Sequence, residues 1–427
     1  MPDYTESKAT RQYLKKYAEP EVESIPVTRT FDYCLVIPAF DERWVDLQQV
    51  WQHLTGDFLV ILVINAPEPH EATLNLLREI QDNIPATQKT QTNRCCFLPG
   101  SPDILIVDRC TAGNTINTRQ GVGLARKIGA DIALQLLTDG RLKQGRISVT
   151  DADAVLPADY FDCELDEGEA ACVFPFHHIP GNSLDEKTDD NTQLSVSLYE
   201  ASIVYYAAGL TWAGSHYGFT TLGSCMAISP RHYAQVRGFP KRAAAEDFYL
   251  LNKLAKTGSI VRSDSAPILL SGRVSERVPL GTGPGIRKIS ALECPLQDYT
   301  FYHPGTFVLL KEFLALLANY WDSSGDINNA SKEIRHFWDE NNIGELFSRQ
   351  RSGINQEVVF SKFVVDWFDA FKTLKFIHFI RFNYLPSVPL SRLGQAPFVD
   401  SNLLEDLPAL KDHLMHGLFA RPGTTWK

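Results

Sequence analysis

A chain of 427 residues is longer than one hydrophobic core usually supports, so one large domain with an appended part is expected. With 44% hydrophobic and 22% charged residues its make-up is that of an ordinary globular protein. A net charge of −10, from 41 basic and 51 acidic residues, argues against a partner held mainly by phosphate neutralisation, so no nucleic acid is expected.

Residues 1–30 are charged and end in ESIPVTRT, reading as a helical arm and linker. YCLVIPAF (33–40) reads as a buried strand, and DERWVDLQQVWQHL (41–54) as a helix with charge in its first turn. DFLVILVINAPEP (57–69) is a second strand ending at two prolines, followed by a helix at 71–82 and a loop through 102. DILIVDR (103–109) is a third strand, GVGLARKIGADIALQLLTDG (121–140) a helix opened by glycines, and 146–151 a strand running into SVTDADAVLP. Strands alternating with helices, without hairpin signals, predict an α/β fold: a mostly parallel sheet flanked by helices. In such sheets ligands gather beyond the carboxyl ends of the strands.

After 160 the pattern loosens. HHIPGNSLDEKTDDNTQ (177–193) reads as a polar loop, 194–210 as a helix, SCMAISP (224–230) as a strand and AEDFYLLNKLAKTG (245–258) as a helix. In that helix Phe248, Leu251, Leu254 and Ala255 share the face expected to bury. SGRVSERVPLGTGPGIRK (271–288) is a basic, glycine-rich loop, and from 290 onward the chain is helical and rich in Phe and Trp, with one long helical run at 358–382. The domain reading is an arm at 1–30, a catalytic domain at 31–288 and a helical C-terminal extension at 289–427. Eight scattered cysteines fit no zinc spacing and the opening MPDYTESKATRQYLKK carries no secretory signal, so reduced thiols and a cytoplasmic location are expected. The most apolar stretch, 307–321, is broken by Lys311 and Glu312, so no transmembrane segment is expected, while peripheral attachment to a membrane stays open.

Asp151 and Asp153 stand at a strand end with one alanine between them. Two carboxylates so close repel unless positive charge lies between them. Either they occupy a solvated turn or they grip a hard divalent ion, Mn²⁺ or Mg²⁺, that completes its shell with phosphate oxygens and water. Glu246 and Asp247 fall in the first turn of a helix, where acids are favoured simply by capping and the dipole. The same dipole would lower a carboxylate's pKa and keep it ionised to accept a hydroxyl proton. GVGLARKIG lacks the spacing of a dinucleotide fingerprint, but Arg126 and Lys127 could lie near a diphosphate. In the 271–288 loop, Arg273 and Arg277 suit closure over a diphosphate or an anionic acceptor. Tyr199, Tyr205, Tyr206, Trp212, His216, Tyr217 and Phe219 could form an acceptor wall, although core packing is the plainer reading of helical aromatics.

The order of these motifs is more telling than any one of them. Over roughly residues 31–270 the chain resembles the inverting, bacterial family 2 type of glycosyltransferase with the GT-A fold, of the hexosyltransferase class. VIPAFDER is similar to that family's VIPAYNE, and GVGLARKIGADIAL followed by ISVTDADAVLP resembles its G-x-x-x-ARN-x-G…FLDAD segment. GSCMAISPRHYAQVRGFPKRAAAEDFYLLNKLAKTG resembles its GGF…ED…L…R…G block. The resemblance implies that Asp151 and Asp153 coordinate a metal bridging the diphosphate of a nucleotide-diphosphate sugar. It implies Asp247 as the base that accepts the proton of a hydroxyl acceptor, with Glu246 positioning that acceptor. Pro38, Ala39 and Asp41 match the loop along the nucleotide, and Arg126 sits where the following helix approaches the same pocket.

Three departures accompany it. VINAPEP places Asn65 where the family often has an acidic run for the base or ribose. LLSGRVSER stands where many GT-A enzymes supply a metal-binding histidine, leaving Ser271, a water or a distant residue such as His303. RKIG replaces the common RN-x-G. The rival readings are a nucleotidyltransferase, which the glycine-free PAFDERW disfavours, and a nucleotide-sugar-binding scaffold on a decayed enzyme fold.

Overall fold

A computed structural model describes residues 7–82, 89–181, 188–273, 281–323 and 327–419. The chain forms two compact units: Met1–Thr188 with Thr221–Gly285, and Asp189–Thr220 with Ile286–Lys427.

In the first unit Tyr33–Ala39 (β1) and Phe58–Asn65 (β2) are almost wholly buried runs of Val, Ile and Leu, as strands covered on both faces must be. They belong to a nine-stranded sheet with Thr90–Thr92 (β3), Cys95–Leu98 (β4), Asp103–Arg109 (β5), Ile147–Val149 (β6), Glu169–Val173 (β8), Met226–Ile228 (β10) and Ser259–Arg262 (β11). The order is β11-β8-β10-β6-β1-β2-β5-β4-β3. Only β4 and β10 run against the rest. Ala154–Val155 (β7), Phe176–Ile179 (β9) and Ile268–Ser271 (β12) form a small second sheet. Lys8–Lys16 (α1), Trp44–Leu47 (α2), Glu71–Asp82 (α3) and Gly121–Thr138 (α4) precede β6, and α4 packs on β1 and β2. The fold is therefore α/β, with helices flanking a mostly parallel sheet.

From β1 the chain builds outward through β2 and β5, then returns to lay β6 on the other side of β1. The strand order reverses there, and at such a switch point the carboxyl ends of β1 and β6 leave a crevice. Asp41 and Glu42 follow β1; Asp151 and Asp153 follow β6.

Several elements differ from the sequence expectation. The 41–54 helix starts late, because Asp41 takes a left-handed φ of 56°, and after α2 it tightens to a 3₁₀ turn at Gln48–Trp51. The loop through 102 contains the antiparallel pair β3–β4, turned at Asn93 with φ 32°. His177–Ile179 is strand rather than loop. Of the 271–288 loop, Ser271 ends β12 and Thr282–Ser290 (α8) is a helix, while Arg277 lies outside the described residues.

The second unit holds Asp190–Ala213 (α5), Pro295–Asp298 (α9), Pro304–Ala318 (α10), Tyr320–Ser323 (α11), Lys332–Glu340 (α12), Ile343–Gly353 (α13), Glu357–Trp367 (α14), Ala370–Asn383 (α15) and Leu407–Phe419 (α16). This is a helical C-terminal region joined by one helix from the middle of the chain. The run 358–382 is two helices, because the Asp369 carboxylate accepts from the Lys372 amide and starts α15 afresh. Tyr205 packs among Phe301, Phe307 and Phe398, and Gly209 leaves room for the Phe307 ring. Tyr205, Tyr217 and Phe219 are buried and belong to the core, whereas Tyr199, Tyr206 and Trp212 are half-buried and His216 is exposed. Among the described residues no helix is long and apolar enough to cross a membrane.

Candidate active site

Between β10 and β11 lie two helices, Pro230–Gln235 (α6) and Glu246–Leu254 (α7). The face of α7 that buries is Leu250, Leu251 and Leu254; Phe248, expected on it, is only half-buried. Glu246 and Asp247 occupy the first turn of α7, and Ala245 before them holds a left-handed φ of 59°. A non-glycine residue in that conformation is costly and marks a backbone fixed by its surroundings.

The surroundings are α4. Gly123 donates its amide to the Arg242 carbonyl at 3.0 Å, and a Cβ on Gly123 would lie 2.6 Å from that oxygen. A Cβ on Gly121, itself at φ 40°, would lie 2.8 Å from the Ala243 Cα. The GVG opening of α4 thus serves a close backbone approach to the segment before α7. One turn later Arg126, 4% exposed, donates to Asp151 through one terminal nitrogen and to Glu246 through the other. Its Nε is buried without a hydrogen-bond partner. Gly223 completes the fit: any Cβ there would overlap the Arg126 guanidinium. The Phe248 amide donates to the Asp247 carboxylate at 2.7 Å.

A second guanidinium serves the other aspartate. Arg273 donates to Glu42 at 2.6 Å and lies 3.1 Å from Asp153. Sequence reasoning gave Glu42 no role beyond the charged first turn of a helix; the structure buries it. Asp41 donates its amide to the Thr73 hydroxyl at 3.1 Å, and Pro38 and Ala39 end β1 beside it. Asn65, at the end of β2, is 8% exposed and its Oδ1 has no hydrogen-bond partner. Asp151, Asp153, Glu42, Arg126, Arg273, Glu246 and Asp247 therefore converge through two arginines. The stand-in metal ligands are engaged elsewhere. Ser271 donates to the Gly181 carbonyl at 2.8 Å, and the His303 Nδ1 accepts from the Gly305 amide at the start of α10.

Burial pushes Glu42, Asp153 and Glu246 each up to about 7, against the pull of Arg273 on the first two and Arg126 on the third. Asp247 is also raised, chiefly by burial, which reverses the lowering expected from the helix dipole alone. Burial opposes the charge on Arg126, yet Asp151, Glu246 and Asp247 together hold its pKa above the ordinary value. Among the described residues five acids gather around the two guanidiniums of Arg126 and Arg273.

No family model matches the chain. No curated protein matches it.

The geometry also bears on a divalent cation. Among the described residues no three His, Cys, Asp or Glu side chains are grouped to hold a metal ion. The donor chemistry nevertheless fits an ion shared with a ligand. Asp151, its side chain 36% exposed, and Asp153 offer hard oxygens at one strand end.

Proposed function

We propose that the first unit is the catalytic domain of a family 2-type glycosyltransferase of the GT-A kind, moving a sugar from a nucleotide-diphosphate donor to an acceptor hydroxyl with inversion. The observation that carries this reading is the single guanidinium of Arg126 joining Asp151, from the Asp-x-Asp pair, to Glu246, from the Glu-Asp pair. It draws two motifs far apart in sequence into one crevice at the switch point of the sheet.

Each residue then has a task. Asp247 takes the acceptor proton; a carboxyl pushed up by burial is the stronger base for that step. Glu246, locked by Arg126, orients the acceptor. Pro38, Ala39 and Asp41 line the nucleotide side, and Asn65 offers an amide to the base. Asp151 and Asp153 would hold Mn²⁺ or Mg²⁺, which when bound supplies positive charge against the departing diphosphate. Arg273, kept charged beside Asp153 and Glu42, adds a fixed charge on the same side.

The test is calorimetry with a panel of nucleotide-diphosphate sugars, with and without Mn²⁺. Metal-enhanced binding that Asp153→Ala abolishes supports the proposal, and binding indifferent to metal points to a scaffold instead. Release of pyrophosphate from a nucleoside triphosphate would make the chain a nucleotidyltransferase.

A further inference from the structure

Arg126 is the least exposed cation of the site, and its place is set from behind. The next residue, Lys127, lies 2.8 Å from the buried Asp131, which also accepts from Tyr233 at 2.8 Å and from the Glu19 amide at 2.9 Å. Tyr13 of α1 donates to the same carboxylate at 2.5 Å. The Glu19 carboxylate in turn lies 2.6 Å from Lys241 and 3.8 Å from Lys127. So the N-terminal segment ties α4 to the stretch before α7 on one side, and Arg126 ties α4 to Glu246 on the other. Between the two ties the backbones of Gly123 and Arg242 are in hydrogen-bond contact.

With each terminal nitrogen bonded to a carboxylate, Gly223 shaped around its head and the residue only 4% exposed, this guanidinium presents almost no surface to a diphosphate. We propose that Arg126 is a positioning residue: by bridging Asp151 and Glu246 it fixes the distance between the donor end of the crevice and Asp247, and it does not touch the donor. The inference rests on the sugar-transfer reading and departs from the expected donor-binding role of Arg126. Its physical basis is that a misplacement of about 1 Å at a reacting centre costs on the order of a hundredfold in rate. A lysine cannot reproduce the fork, since its compact ammonium lacks the planar, spread pair of terminal nitrogens that meets Asp151 on one side and Glu246 on the other.

Two variants test it. Arg126→Lys removes the fork but keeps a charge, and Gly223→Ala keeps every charge but pushes the fork aside. Three properties are measured: Mn²⁺-dependent affinity for uridine and guanosine diphosphate, nucleoside diphosphate release from UDP-glucose and GDP-mannose with water as acceptor, and amide hydrogen exchange over residues 246–250. In both variants diphosphate affinity is expected to stay within about threefold, kcat to fall about a hundredfold, and exchange at 246–250 to quicken. A more than tenfold loss of affinity with kcat retained at saturating donor would overturn the positioning role in favour of direct donor contact. If the wild type neither binds nor cleaves any probe, the sugar-transfer reading fails by itself. Exchange then decides: wild-type protection of 246–250 in Arg126→Lys ends the proposal, and faster exchange sustains the bridge.

Discussion

Asp247 and Glu246 are neighbours in sequence with different surroundings, and the difference assigns their effects. Asp247 is half-buried, takes an amide hydrogen bond from Phe248 and has no ion pair among the described residues, so it has room to accept a proton. Asp247→Asn is expected to leave Mn²⁺-dependent nucleotide binding nearly intact and to cut turnover by at least about a hundredfold, the usual scale for a general base. A matching loss of donor affinity would move Asp247 out of that role. Glu246 is 3% exposed and paired with Arg126, so its signature is in stability. Its folded pKa of about 7 lies above the ordinary carboxylate value, so the folded state binds this proton more tightly than the unfolded chain does. That contribution is present in full below about pH 4 and lost as pH rises through 7. Glu246→Gln removes the dependence. The unfolding free energy of the variant relative to wild type should therefore rise steadily from pH 5 to pH 8, read by urea denaturation at four pH values. A difference that stays flat across the series would show that Glu246 does not titrate there.

At the scale of elements, α4 is the part on which the site depends, and its fit to the sheet hangs on Gly129. A Cβ there would overlap the Val36 side chain of β1. Gly129→Ala gains about 1 kcal/mol in helix propensity, but overpacking a filled core typically costs about 1–3 kcal/mol. Net destabilisation is expected, and Val36→Ala in the same chain should recover part of it, as a double-mutant cycle in denaturant would show. The sequence made α4, β1, β2, β5 and α3 legible because each is long enough to show its period. The strands β3, β4, β7, β8, β9 and β11 have five residues or fewer, and their existence is decided by pairing partners distant in sequence. The candidate site divides in the same way. Asp151, Asp153, Glu246 and Asp247 stand at element ends where like charges collect, a local signal. Glu42 was passed over although it stands in the same way, because its bond to Arg273 reaches 231 residues further along the chain. Its one clue was lying next to Asp41, just past the end of β1.

Over the whole molecule the division into two units sorts function from mass. Every residue assigned to the crevice lies in the unit formed by Met1–Thr188 and Thr221–Gly285. The other unit is held by rings: Phe313 stacks on Phe376 with centroids 4.9 Å apart and meets Phe337 and Phe368 edge-on. It also carries Trp212, Trp321, Trp338 and Trp367, which give it a fluorescence signal of its own alongside Trp44 and Trp51 of the first unit. Removing a fully buried phenyl group costs about 3–5 kcal/mol through lost transfer energy and the cavity left behind. Phe313→Ala should therefore lower the unfolding midpoint of the helical unit, seen as an earlier change in tryptophan emission. Nucleoside diphosphate at a hundred times its dissociation constant, with Mn²⁺, should stabilise the first unit by about 2.7 kcal/mol in the variant as in the wild type. The two measurements separate cleanly because one reports a core and the other a ligand. If Phe313→Ala abolished the ligand's effect while the first unit stayed folded at the assay temperature, the helical unit would have to supply part of the binding site, and the crevice at β1 and β6 would be incomplete as described.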